Sequence, residues 1–89
     1  MKIKKGFVLR EAAGSFVVMN LGSETDFNGM ITLNETGALI WNNIDQGKST
    51  EEIAKNIIEE YDIDFDTAFK DTVKFIIKMS EAGVIEQED

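Results

Sequence analysis

The chain has 89 residues, which suits one domain over residues 1–89 but not two, and its 43% hydrophobic and 29% charged content is typical of a globular protein. Neither cysteine nor histidine is present, which excludes a disulfide scaffold and a thiolate metal site and removes the commonest general base. The net charge of −8 argues against nucleic-acid binding, because such affinity comes largely from neutralising phosphates.

The first third of the sequence predicts strands. The basic amino terminus, MKIKKGF, leads into no apolar segment, so we expect neither a signal peptide nor a membrane span, and a cytoplasmic protein. The apolar runs FVLRE and SFVVMNL, separated by AAG, predict a hairpin. Asn28-Gly29 is a strong turn pair, and Met30 to Leu33 follows as a third short strand. Residues 7–33 therefore predict a three-stranded antiparallel sheet.

From residue 35 to about residue 82 the periodicity predicts three helices. Asn34 suits the N-cap of the first helix, and Gly47 suits the left-handed position after it. Ser49 and Glu52 have the spacing of a capping box at the start of the second helix. The first two helices are predicted to bury Ile40, Trp41, Ile44, Ile53, Ala54, Ile57, Ile58 and Tyr61. The third helix stops at Gly83, VIE trails off as a short extended segment, and the order of elements indicates an α+β domain.

The third helix carries more apolar residues than one buried face needs. Asp64 or Asp66 is expected to cap it. At about 100° per residue its main apolar stripe is formed by Phe69, Thr72, Val73, Ile76 and Met79. Phe75 widens this stripe on one flank and Ile77 on the other, so that the apolar arc spans about 200° rather than the usual 100° or so. Beyond Ile77 lies a row of lysines, Lys70, Lys74 and Lys78.

The residues offer little for catalysis or metal binding. Adjacent glutamates on a helix diverge by about 100°, and the serines have no base to activate them. The acidic segment DIDFD lacks the glycine and the bidentate glutamate of a calcium loop. We therefore predict no catalytic residue, no metal, no cofactor and no enzymatic activity.

A binding surface is the better prediction. If the third strand lies at a sheet edge, its unpaired backbone groups invite another strand, and a third helix beside it would add an apolar wall at Phe69, Val73 and Ile77. The lysine row would favour an acidic or helix-capped ligand segment by electrostatic steering. Two alternatives stay open: Phe69 and Val73 are simply core, with Ile77 a lone exposed residue, or the helices form a DNA-binding helix-turn-helix.

The segment LNETGALIWNNIDQGKSTEEIAKNIIEEYDID, residues 33–64, closely resembles the PqqD family. The carboxyl-terminal DTVKFIIKMSEAGVIE is similar to the third helix of the family, and the resemblance covers about residues 7–86. The chain departs from the family pattern by an insertion in the turn Asp45–Gly47 and by Ile77, where many relatives are polar.

The resemblance implies a winged-helix-like domain that binds the leader of a ribosomally made precursor peptide. In the family, the leader adds antiparallel to the third strand, packs against the third helix and is presented to a radical S-adenosylmethionine enzyme, as in pyrroloquinoline quinone biosynthesis. We expect that enzyme or another peptide-modifying enzyme as a partner, no nucleic acid or membrane contact, and a monomer or weak dimer. The peptide-binding residues implied for this chain are Gly29, Met30, Ile31, Thr32, Leu33, Phe69, Lys70, Val73, Lys74 and Ile77.

Overall fold

A computed structural model describes residues 1–21 and 31–86. In chain order the elements are β1 (Lys2–Ile3), β2 (Phe7–Ala12), β3 (Ser15–Asn20), β4 (Ile31–Leu33), α1 (Glu35–Asp45), α2 (Thr50–Glu60), α3 (Phe65–Glu81) and β5 (Ile85–Glu86). Strands β2, β3 and β4 form an antiparallel sheet in that order. The predicted α+β fold, a three-stranded antiparallel sheet followed by three helices, is confirmed.

A second, two-stranded sheet was not predicted. In it β1 pairs antiparallel with β5, with Ile3 opposite Ile85, and Lys2 forms an ion pair with Glu86 at 3.4 Å. The segment VIE is therefore paired with the amino terminus instead of trailing off alone. This pairing places the first residues of the chain beside the end of α3, because β5 follows α3 directly.

The hairpin between β2 and β3 was predicted at AAG and is confirmed. Ala12 lies opposite Ser15, and the two residues between them, Ala13 and Gly14, both have positive φ values of 51° and 80°. Positive φ at both central residues is the conformation of the two-residue turn that matches the twist of a hairpin. The hairpin thus fixes the register of the strand that pairs with β4.

The predicted caps of α1 and α2 are confirmed. The backbone N–H of Gly37 donates to Asn34 Oδ1 at 2.7 Å. Ser49 and Glu52 exchange hydrogen bonds in both directions, at 3.0 and 3.2 Å. Gly47 follows α1 with φ of 81°. These local bonds set the start of both helices independently of tertiary packing.

α3 begins directly after Asp64 and ends two residues before Gly83, close to the predicted bounds, but the hydrogen bond at its cap differs from the prediction. Asp64 occupies the N-cap position. Its carboxylate accepts a hydrogen bond from the hydroxyl of Thr67 at 2.6 Å rather than one from a backbone N–H. Gly83 follows the helix with φ of 80°, as predicted.

The core lies mainly among the three helices, and the three-stranded sheet contributes Val18 and Leu33 to it. Its buried apolar residues are Val18, Leu33, Ala38, Ile40, Trp41, Ile44, Ile53, Ala54, Ile57, Ala68, Met79, Val84 and Ile85. The predicted burial is confirmed for six of the eight residues assigned to the first two helices, whereas Ile58 is 37% exposed and Tyr61, just after α2, is half-buried. In α3 the buried residues are Ala68, Thr72 and Met79, whereas Phe69, which the sequence left open as either core or binding surface, is 37% exposed. Across residues 1–21 and 31–86, no helix has the length and apolar character needed to cross a membrane.

Candidate functional site

β4 forms one edge of the three-stranded sheet. Among the described residues its only strand neighbour is β3, so its other side offers backbone groups without a strand partner. Leu33 is buried and Ile31 is half-buried, whereas Thr32 between them is exposed. Because side chains alternate along a strand, Ile31 and Leu33 face the helices and Thr32 faces away. A peptide added to this edge would therefore place every second side chain on the helical side.

Next to the end of β4 lies a shallow concavity of about 340 Å³, which we name the edge groove. It is formed by the first turn of α1 and one flank of α3, and it is lined by Asn34, Thr36, Gly37, Ile40, Asp71, Lys74, Phe75 and Lys78. Asn34 directly follows Leu33, so the groove continues from the strand edge. Ile40 is buried and Phe75 is half-buried, which gives the groove an apolar floor with charged side chains at its rim.

Gly37 allows the strand, α1 and α3 to meet at this groove. A Cβ atom at Gly37 would lie 3.2 Å from the Cβ of Leu33, 3.3 Å from Oδ1 of Asn34 and 3.4 Å from Cε2 of Phe75. Such contacts are tighter than ordinary van der Waals packing. The absence of a side chain at Gly37 therefore lets Phe75 approach the strand.

A second and larger concavity, of about 750 Å³, lies on the opposite flank of α3. We name it the loop concavity, because it is bounded by the amino terminus, the end of α1, the connection from α1 to α2, and α3. Its apolar lining comes from Met1, Ile44, Val73, Ile76 and Ile77. The strand residue in its lining is Lys2 of β1, a two-residue strand that pairs with β5, and β4 contributes no residue to it. Lysines line this concavity too, namely Lys2 and Lys48.

The predicted site residues divide between these places. Ile31, Thr32 and Leu33 form the strand edge, and Lys74 lines the edge groove. Val73 and Ile77 line the loop concavity, and Ile77 is 51% exposed. Gly29 and Met30 lie outside the described residues.

Two further predicted residues lie in neither concavity. Phe69 packs against Phe65, with ring centroids 5.8 Å apart, and both rings are 37% exposed. The hydrogen bond from the hydroxyl of Thr67 is the main cause that lowers the pKa of Asp64, and the charge of Lys70, which is exposed, adds a smaller effect. Both residues therefore belong to the amino-terminal half of α3.

The structure adds Phe75 and Lys78 to the candidate contacts. Phe75 was noted in the sequence as widening one flank of α3, and Lys78 as the last member of the lysine row. Which flank faces the strand could not be predicted from the sequence, because residues 75 and 77 lie about 200° apart on a helix and both are apolar. The close approach at Gly37 distinguishes the two flanks.

The carboxylates near α2 and α3 are engaged in local structure. The pKa of Glu52 is lowered mainly by the hydrogen bond from the backbone N–H of Ser49, and secondarily by the bond with the Ser49 side chain. Within the ranges that the structure describes, no three Asp, Glu, His or Cys residues are grouped so as to hold a metal ion. The chemistry that the site offers is therefore hydrogen bonding by backbone, apolar contact and positive charge.

Comparisons with known proteins bear on the family and on the fold. The family model described as Coenzyme PQQ synthesis protein D (PqqD) matches residues 15–85. No curated protein matches the chain significantly. Among solved structures, TbiB1 in complex with the TbiA(beta) leader peptide has a TM-score of 0.81 and 27% identity, over 100% of this chain and 99% of that one. Lasso peptide synthetase B1 complexed with the leader peptide also has a TM-score of 0.81, with 20% identity, over 97% and 96% of the two chains, and shows a shared fold.

Proposed function

The chain belongs to the PqqD family, and from that premise we propose that it is a non-catalytic peptide chaperone that binds the leader of a ribosomally made precursor peptide. The leader adds as a strand to the edge of β4 that has no strand neighbour among the described residues, and it packs against α3. Both structural neighbours reported above are complexes with leader peptides. The bound leader is presented to a peptide-modifying enzyme, for which a radical S-adenosylmethionine enzyme is our first candidate.

The observation that carries this proposal is the continuity between the edge of β4 and the edge groove. Backbone groups along Ile31–Leu33 supply hydrogen bonds that any peptide sequence can make, whereas the groove beside them supplies contacts that depend on side chains. Leu33, Gly37 and Phe75 join the two, because atoms of Leu33 and Phe75 lie 3.2 Å and 3.4 Å from the position that a Cβ atom of Gly37 would take. Affinity and specificity thus come from adjacent parts of one surface.

The proposed contacts are Ile31, Thr32 and Leu33 on the strand and Lys74, Phe75 and Lys78 on α3. Gly29 and Met30 remain predictions from the sequence, as do Phe69 and Lys70. Val73 and Ile77 form the competing set, because they lie on the other flank of α3 and would contact only a ligand in the loop concavity. The two flanks can be tested separately.

The expected affinity is modest. A strand of about eight residues buries roughly 600–800 Å² in total, at the small end of specific interfaces. A dissociation constant in the micromolar range, about −8 kcal/mol, is expected once the ordering of a flexible peptide is included.

The experiment that tests the proposal uses selected peptides and their N-methylated forms. A random peptide library, long enough to span one strand, is displayed and selected on the immobilised protein, and an enriched peptide is synthesised. A scan then places one N-methyl group at each backbone nitrogen in turn. A strand-added peptide bonds β4 through alternate residues, so affinity is expected to fall at every second position. A library without enriched peptides, or a scan without this period of two, would contradict strand addition.

DNA binding remains the alternative from the sequence, with Lys70, Lys74 and Lys78 as phosphate contacts. The net charge of −8 opposes it, since the whole molecule repels a polyanion. A gel shift that weakens with added salt would support it, whereas the absence of any shift at low salt would remove it.

A further inference from the structure

The edge groove carries an excess of positive charge on an acidic protein. The chain contains 9 basic and 17 acidic residues, yet the charged residues that line the groove are Lys74, Lys78 and a single acid, Asp71. Such a local reversal of sign favours ligands of the opposite charge and disfavours basic ones. The positive charge of the groove therefore favours a peptide with acidic side chains at the positions that lie in it.

The two lysines of the groove are available to a ligand. In the described part of the chain the ion pairs are Lys2–Glu86 and Lys55–Glu51, so neither Lys74 nor Lys78 has an acidic partner within ion-pair distance. Both side chains are exposed. Asp71 lies one helical turn before Phe75, at the end of the groove away from Lys78, because residues 71, 75 and 78 follow one another along α3. The end of the groove near Lys78 is thus its more positive end.

The spacing of a strand matches the spacing of these groups. Side chains on one face of a guest strand lie about 6.6–6.8 Å apart, since the rise is 3.3–3.4 Å per residue and faces alternate. Side chains one turn apart on a helix, such as Lys74 and Lys78, lie about 5–6 Å apart. If one side chain of the guest strand contacts Phe75, the next side chain on the same face of that strand therefore lies close enough to contact the two lysines.

We propose that the peptide bound in the edge groove carries Asp or Glu two residues away from a large apolar side chain. The apolar side chain contacts Phe75, and the carboxylate lies between Lys74 and Lys78. This inference rests on the proposed strand addition and defines the chemical class of its ligand. Because the lysines are exposed, we expect them to change affinity by about 3- to 10-fold at low salt and by less at high salt.

The test repeats the library selection on a charge-reversed variant, Lys74→Glu combined with Lys78→Glu. The matched control combines Lys4→Glu with Lys5→Glu, which makes the same change in net charge at exposed positions that do not line the groove. All three proteins keep their apolar groove floor. We expect peptides from the unmodified protein and the control to carry an acid two residues from an apolar residue, and peptides from the groove variant to carry Lys or Arg there.

Each outcome separates this inference from the function on which it rests. Enriched peptides that show the N-methyl period of two but have no acidic preference would overturn the charge rule and leave strand addition intact. A change from acidic to basic residues in the peptides selected by the Lys4→Glu, Lys5→Glu control would also overturn the charge rule, because the net charge of the protein rather than the groove would then be responsible. A failure to enrich any peptide would overturn strand addition itself. A preference that switches only in the groove variant supports the proposal.

Discussion

The two flanks of α3 resemble each other in composition and differ in what borders them. Both concavities have an apolar lining and two lysines, and the loop concavity is the larger, at about 750 Å³ against about 340 Å³. The edge groove continues from β4, which lies at one side of the three-stranded sheet among the described residues, whereas the strand residue of the loop concavity is Lys2, from the two-residue strand β1. An apolar surface alone therefore does not identify a candidate peptide site, whereas an apolar surface next to the edge of the three-stranded sheet does.

The largest effect on peptide affinity is expected from truncating the apolar side chain of the edge groove, and the same truncation on the other flank is its control. Phe75→Ala removes the floor of the edge groove and should weaken binding of a library-selected peptide about 30-fold, the size of a hot-spot residue. Ile77→Ala removes an exposed side chain of the loop concavity and should change the affinity less than about 2-fold. Fluorescence anisotropy with the labelled peptide measures both.

Stability must be measured alongside, because Phe75 is half-buried. Its truncation is expected to cost about 2 kcal/mol, which is less than the 5–15 kcal/mol that typically holds a domain together. Circular dichroism should therefore show that both variants fold. The reverse ranking, with Ile77→Ala weakening binding more than Phe75→Ala does, would return the site to the flank first predicted from Val73 and Ile77.

A smaller effect is expected from two glycines, one at each concavity. Gly37→Ala places a methyl group 3.2 Å from Cβ of Leu33 and 3.4 Å from the ring of Phe75, so these groups must shift, and peptide affinity should fall about 5- to 10-fold. Thermal stability should change little, because crowding offsets a gain of about 1 kcal/mol in helix propensity.

Gly47→Ala is the matched control at the loop concavity. No atom lies within 4 Å of a Cβ at this position, but its φ of 81° is strained for alanine. Stability should fall by about 1 kcal/mol with peptide affinity unchanged. If Gly47→Ala weakens binding and Gly37→Ala does not, the peptide does not occupy the edge groove.

The smallest effect concerns the capping box at the border of the loop concavity. Hydrogen bonds from Ser49 lower the pKa of Glu52 below its ordinary value of 4.5, so the ionised carboxylate favours the folded state. This contribution is fully present above pH 4.5 and is lost as the pH falls through the lowered pKa of the folded state. Glu52→Gln should therefore be slightly less stable than the unmodified protein at neutral pH, with a gap that closes in acid.

Urea unfolding of both proteins at a series of pH values measures this gap. Binding of the selected peptide at neutral pH should be the same in both, since Glu52 lines the loop concavity and not the edge groove. A gap that widens in acid would show that Glu52 does not stabilise the protein through its ionised form.

Features set by local chemistry could be predicted from the sequence. Asn34, Ser49 with Glu52, and the glycines after α1 and α3 form the caps and ends that their residue types favour. The burial of Trp41 follows from helical periodicity. These features depend on residues at most four positions apart, so the order of neighbouring residues is sufficient.

Features set by distant parts of the chain could not be predicted. Two-residue strands such as β1 and β5 have no periodicity, and they form only because the chain ends meet. The flank of α3 that faces β4 depends on the packing of Leu33, Gly37 and Phe75, which come from three different elements. The strand and the helix of the proposed site were therefore predictable, and the flank of the helix that lines the edge groove was not.

The most direct measurement is an NMR titration of ¹⁵N-labelled protein with a library-selected peptide. Addition of a strand to β4 predicts that the amides of Ile31, Thr32 and Leu33 shift and exchange more slowly with solvent, together with shifts at Lys74, Phe75 and Lys78. The amides of Gly47, Lys48 and Thr50 in the loop concavity should keep their chemical shifts. Shifts confined to the loop concavity, with the amides of Ile31–Leu33 unchanged, would contradict the account.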